Sequence, residues 1–312
     1  MPSLASRMMP PVLRALGYRR RFASPQATTK LIAARRLRPL PYGPPRRLPA
    51  GVDIRISHDS DWPIYEVLPV GAVPRGQIVY VHGGAWINQI AIQHWQFVAE
   101  LAAATGSRVL VPIYPLAPRG TAATVVPRVA ELLLELAAGH GAENVSVIGD
   151  SAGGQIALSA ALLARDRGMP LAHTVLIAPA LDLRLNNPDI DAIEPNDPWL
   201  VRPGLRTAVE LWRAGLPLDD PVVSPLFGDL AGLGPLTVFV GTRDITHPDC
   251  VLLVSKAQGA GVATEFHEAP GMVHVYPLLP IPEGRRARRT IARLLQQAPA
   301  SGAYTRAADP PR

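Results

Sequence analysis

From residue 52 onward, short apolar or alternating runs are separated by stretches in which apolar residues recur at helical spacing. That rhythm belongs to an α/β protein, a sheet interleaved with helices. Eight runs read as strands: residues 52–57, 64–68, 77–82, 108–114, 144–149, 173–178, 236–241 and 263–268. The first two alternate more than the rest and predict an antiparallel edge. The runs from residue 77 are nearly all apolar, as a parallel sheet covered on both faces requires. Between Pro127 and Gly139, Val129, Leu132, Leu133 and Leu136 fall at i, i+3, i+4 and i+7. The proline is placed to start that helix and the glycine to end it. Residues 151–167 form an Ala/Leu-rich helix stopped by Gly168, Pro248 opens another to about Gln258, and 285–297 read as a basic, amphipathic last helix.

Two segments break the rhythm. Residues 182–220 follow a strand but are rich in Pro, Asn and Asp, with Trp199 and Trp212 embedded. Long excursions from a compact domain are usually functional, so this insertion is expected to cover the sheet, with residues 1–50 joining it. The main domain then spans 51–298, and 299–312 is expected to be a flexible tail.

Charge separates the same arm from the body. Residues 1–50 hold eleven Lys/Arg and no acid, leaving 20 basic groups against 25 acidic in the rest, a net of −5. A mildly acidic body argues against nucleic-acid binding. Arg14, Arg19, Arg20 and Arg21 cluster beside Val12, Leu13, Leu16 and Phe22, which reads as a solvated or packed arm or as one in weak contact with an anionic membrane surface. Pro10, Pro11 and Arg14 interrupt the apolar start, so no secretory-type apolar run is present, and no run of 18 apolar residues occurs. The single Cys250 rules out a disulfide framework and suggests a reducing, cytoplasmic setting. Neither H-E-x-x-H nor paired-Cys spacing occurs among the eight His and one Cys, so no metal or other cofactor is expected.

The chemistry concentrates at Gly149-Asp150-Ser151-Ala152-Gly153, a G-x-S-x-G motif directly after a strand and opening a helix. In that context the glycines permit a tight turn that pushes the Ser151 hydroxyl out at the carboxyl end of the sheet. A serine needs a base to take its proton and donors to stabilise the oxyanion. His82-Gly83-Gly84-Ala85, after the strand at 77–82, supplies candidate donors in the amides of Gly83 and Gly84, with the Ala152 amide on the helix N-terminus as the remaining one. The acid and the histidine should follow in that order, each beyond a strand. Asp244 is preferred to Asp249, which falls inside the next helix. His274 is preferred to His267, within a strand, and to His247, too near the acid's own turn.

His82-Gly83-Gly84-Ala85-Trp86, Gly149-Asp150-Ser151-Ala152-Gly153-Gly154, Asp244 and Gly271-Met272-Val273-His274 resemble the hormone-sensitive-lipase-like, family IV branch of the α/β-hydrolases, over roughly residues 50–298. The resemblance implies an α/β-hydrolase fold with a helical cap made by the arm and the insertion. It further implies a carboxylesterase acting on small to medium acyl esters, acetyl esters among them, with a Ser151–His274–Asp244 triad. Three departures stand out. Ala85 replaces a third glycine, Pro115 and Arg119 replace the charged pair of the family's YRLAPE stretch, and the Asp244 segment lacks the DPL spacing. Trp86 reads equally as a pocket wall or as packing. Amide or formamide hydrolysis on the same triad remains open, as does a non-catalytic ligand-binding role. The sheet edge is a candidate homodimer surface.

Overall fold

The computed structural model describes residues 2–48, 51–57 and 62–296; the expected tail at 299–312 lies outside them. The arm holds helices α1 (Leu4–Ala15) and α2 (Pro25–Leu37). The body then runs β1 (Val52–Ser57), β2 (Ile64–Pro69), β3 (Gln77–Val81), α3 (Ile92–Thr105), β4 (Arg108–Pro112), α4 (Ala122–His140), β5 (Val145–Asp150), α5 (Ala152–Asp166) and β6 (His173–Ile177). The insertion carries α6 (Ile190–Ile193) and α7 (Arg202–Arg213). After it come β7 (Leu236–Gly241), α8 (His247–Gly259), β8 (Thr264–Ala269) and α9 (Pro282–Gln296).

The eight strands form one sheet in the order β1-β2-β4-β3-β5-β6-β7-β8. The β1–β2 and β2–β4 pairings are antiparallel and the rest parallel, as the alternation of the first two runs predicted. Strands β3, β5 and β7 are buried along their whole length, because helices cover both faces. Small residues let α5 press onto the sheet: a side chain on Gly153 would meet the His82 carbonyl at 2.5 Å.

The helix expected from Pro127 in fact begins at Ala122, with Pro127 in its interior. Its start is set by Thr121 and Thr124, where the Thr121 amide donates to the Thr124 hydroxyl at 3.0 Å. Several strand ends also differ by one or two residues, β3 stopping at Val81 and β4 at Pro112.

The arm is anchored to the insertion. Leu13, Phe22 and Ile32 are buried; α2 lies against α7, and the turn before α2 lies so close to it that a side chain on Gly204 would meet the Phe22 Cα and carbonyl at 2.5 Å. Arg19 donates to the carbonyls of Glu194 (2.7 Å) and Asp197, at the end of α6. At its start, α1 is tied to α9, where the Ser3 amide and hydroxyl donate to Glu283 at 2.7 and 2.9 Å. Among the described residues no helix is long and apolar enough to cross a membrane.

Candidate active site

Strand β5 delivers Ser151 into the turn before α5, and the turn is strained. Its φ of 52° with ψ of −120° is a conformation an L-residue adopts only where its surroundings enforce it. The Ser151 amide donates to the Ile177 carbonyl at 2.9 Å, tying the turn to the next strand. Four further non-glycine residues with positive φ line the cavity at the site: Ala85 (52°), Trp86 (59°), Leu185 (54°) and Val275 (47°). Strain clustered in this way marks a functional region.

The structure brings together the three residues the sequence singled out. His274 shares Nδ1 with Asp244 Oδ2 at 2.7 Å and Nε2 with Ser151 Oγ at 2.9 Å. With the Nδ1 proton donated to the carboxylate, Nε2 is left to accept the serine hydroxyl. Asp244 is wholly buried and His274 almost so. Burial alone lowers the His274 imidazole, but the facing Asp244 carboxylate, then Asp197 and Asp150, outweigh it and hold the pKa above the ordinary histidine value. The rival acid, Asp249, instead accepts from Asn187 Nδ2 at 2.8 Å. His247 pairs with Glu268 at 2.6 Å, and His267 stacks on Phe239.

The oxyanion loop requires one correction. The Gly83 amide, expected to face a substrate, donates to Asp150 Oδ1 at 2.9 Å. That carboxylate also accepts the Tyr80 hydroxyl at 2.6 Å and sits 3.3 Å from His94 Nε2. Burial pushes Asp150 up, but His94, Tyr80 and the Gly83 amide more than offset it and hold the carboxyl below its usual range. Asp150 therefore anchors the loop, and a side chain on Gly83 would meet its carbonyl at 2.7 Å. Among the described residues the amides of Gly84, Ala85 and Ala152 have no backbone partner, and they border the same cavity as Ser151 and His274. Ala85 stands where a third glycine was missed and adopts the left-handed conformation that glycine favours.

The cavity over Ser151 has a volume of about 460 Å³. Trp86, Trp199 and Leu278 line it from the body and the insertion, and Met9, Leu13 and Leu16 line it from the arm. Trp86 both borders the cavity and packs: it stacks on Trp212 at 5.7 Å, and the two indole N–H groups share Gln155 Oε1 at 3.1 and 2.9 Å. Among the described residues no group of three His, Cys, Asp or Glu is arranged to hold a metal ion.

One acidic residue beside Ser151, His274 and Asp244 carried no sequence signal. Asp197, in the insertion, is fully buried; its Oδ1 accepts the Trp199 and Leu200 amides at 2.7 and 2.9 Å, and its Oδ2 accepts the Ile245 amide at 3.1 Å. It thus bolts the insertion to the residue after Asp244. Burial, and then the Asp244 carboxylate, push Asp197 up to about 7. Trp199 lies edge-on to the His274 ring at 5.8 Å and contacts Tyr18 of the arm at 4.8 Å.

A mostly parallel sheet with a serine at a strained strand-to-helix turn, and a histidine and a buried aspartate beyond later strands, is the arrangement of an α/β-hydrolase. A family model described as the alpha/beta hydrolase fold matches residues 78–278. A triacylglycerol lipase of Mycobacterium tuberculosis is 34% identical over 86% of this chain, which spans 59% of that protein's length. An acetyl-hydrolase of Streptomyces hygroscopicus is 34% identical over 72% of this chain and 77% of its own length. The crystal structure of an esterase from the bacterial hormone-sensitive lipase family superposes with a TM-score of 0.74, at 26% identity, over 88% of this chain and 90% of that one. The chain belongs to the α/β-hydrolase family, in its hormone-sensitive-lipase-like branch.

Proposed function

We propose that this chain is a serine carboxylesterase that hydrolyses short- to medium-chain acyl esters through an acyl-enzyme. The observation that carries the reading is the unbroken Asp244–His274–Ser151 hydrogen-bond chain at the wall of a mostly apolar cavity. His274 takes the Ser151 proton as Oγ attacks the ester carbonyl. The amides of Gly84, Ala85 and Ala152 receive the developing oxyanion, helped by the positive end of α5. His274 returns the proton to the leaving alcohol, and water then releases the acid by the same route. Asp244 orients the imidazole and balances its transient charge. The names of the lipase and acetyl-hydrolase relatives support ester substrates, acetyl esters included. The arm and the insertion form the cap of this site, a role supported by the residues each contributes to the cavity wall.

Ser151→Ala tests the reading on a series of p-nitrophenyl esters of increasing chain length, run beside matched amides. Loss of kcat by about 10⁴-fold or more on esters is expected, with the fold kept. Retained activity, or a wild-type preference for amides, overturns it.

A further inference from the structure

The face of α1 turned away from the protein is apolar. At about 100° per residue, Leu4, Ala5, Met8, Pro11, Val12, Ala15 and Leu16 share one side of the helix, and all are exposed. Leu4 is 77% exposed, Met8 54%, Val12 43% and Leu16 61%. The opposite side, with Ser6, Pro10 and Leu13, is buried against the body. Arg7 and Arg14 run along the border between the two sides, both exposed. A helix with one face already satisfied by the body and a second apolar face in water has a partner still to meet.

Charge identifies what kind. Every side chain charged at neutral pH from residue 1 to residue 50 is basic, so the arm that carries the stripe repels a basic partner and attracts an anionic one. Exposed Arg7, Arg14, Arg20, Arg21 and Lys30 all belong to this arm. The stripe is also continuous with the cavity: Val12 and Leu16 are exposed and at the same time line the space over Ser151. An apolar strip flanked by arginines and running into the rim of an acyl-sized cavity fits a lipid–water interface carrying negative charge.

We infer that α1 is an interfacial helix that lays Leu4, Met8, Val12 and Leu16 on an anionic lipid surface and turns the mouth of the cavity toward it. This deepens the esterase reading by naming the phase from which apolar esters enter, and it rests on that reading only for its purpose. Adsorption itself needs no catalysis, so the two fail separately.

The test uses the full chain bearing Ser151→Ala, sedimented with sucrose-loaded vesicles of phosphatidylcholine, with and without about one third phosphatidylserine. Binding to the anionic vesicles is expected, weakened by salt and reduced about fivefold for each arm charge removed, as in Arg7→Gln and Arg14→Gln. Leu4→Glu with Met8→Glu, both outside the cavity lining and at exposed positions, should abolish sedimentation while an otherwise wild-type chain with these changes keeps its activity on a soluble acetyl ester. Absence of binding to either vesicle overturns the inference, as does equal binding to both or binding that survives the double change. Concentration-dependent dimerisation that this double change removes, without vesicle binding, assigns the stripe to a second copy of the chain and likewise overturns it.

Discussion

Replacing Asp197 with Asn tests how the insertion acts on His274, because it keeps the side-chain shape and removes one buried ionisable carboxyl. The carboxyl is pushed up to about 7 from an ordinary value of 3.8, chiefly by burial and then by Asp244. An acid whose folded-state pKa is raised holds its proton in the folded protein at pH values where the unfolded chain has lost it. Wild-type stability therefore falls as pH rises between those two values, and the penalty is complete above the upper one. The two pKa values place the added penalty between about pH 5 and about pH 8.5 at about 3 kcal/mol. Asparagine carries no such penalty. It does lose an acceptor, since Trp199 and Leu200 donate to one oxygen and Ile245 to the other. Leaving one of these amides unmet costs about 1–3 kcal/mol, the same at both pH values. Urea unfolding of the wild type and Asp197→Asn should thus show the variant gaining about 3 kcal/mol relative to the wild type from the lower pH to the higher. The same change removes one of the carboxylates that hold His274 above its ordinary range. The acid limb of kcat/KM, which reports the neutral imidazole of the free enzyme, should move to lower pH. A stability difference that does not grow with pH refutes the placement of a strained charge at Asp197, and an acid limb that stays put refutes its action on His274.

Asp244→Asn should lower kcat by about 10⁴-fold with KM little changed, because the amide can present the wrong group to Nδ1 and leave Nε2 unable to accept the serine proton; a pre-steady-state measurement of acylation checks it. Gly204→Ala places a methyl group 2.5 Å from the Phe22 backbone, so overpacking should cost about 1–3 kcal/mol and loosen the arm from α7. Trypsin, with many Arg and Lys sites before residue 48, should then cut the arm faster than in the wild type while the body stays intact.

Legibility followed the range of the interactions that decide each feature. The Ser151 turn is local: strand, glycine, serine, glycine and helix sit within a dozen residues, and β5 and α5 formed where the pattern put them. Asp244 and His274 lie 30 residues apart in sequence. They were still readable because parallel strands deliver their trailing loops to one edge of the sheet, and order along the chain then becomes order in space. The oxyanion loop shows the limit of that logic. Sequence identifies a run of amides at 83–85 but not which amide is already spent. The answer depends on the Asp150 carboxylate reaching across from β5 to the Gly83 amide, a contact between a strand end and a loop far apart in sequence. Once that bond is known, Ala85 becomes intelligible, since the loop needs a third amide and imposes a glycine-like φ on whatever residue supplies it.

The arm and the insertion were harder because neither is stabilised by its own pattern. In α1, Pro10 and Pro11 remove two helical donors and read as an interruption, yet the helix continues through them. What compensates is tertiary: Ser3 caps the start and binds Glu283, while Leu13 and Pro10 are buried against the body. Asp197 is the extreme case. In sequence, Asn196-Asp197-Pro198 is an ordinary turn, and nothing there foretells a buried carboxylate accepting amides from its own loop and from Ile245. Its value to the fold arises only when the insertion closes over the sheet. The same closure puts Trp199 against His274 and Tyr18 against Trp199, so the arm's position and the imidazole's surroundings are set by one stack of side chains. A segment whose folding is conditional on the site it covers is also one whose displacement changes that site, and the two segments least readable in the sequence both place side chains on the cavity wall over Ser151.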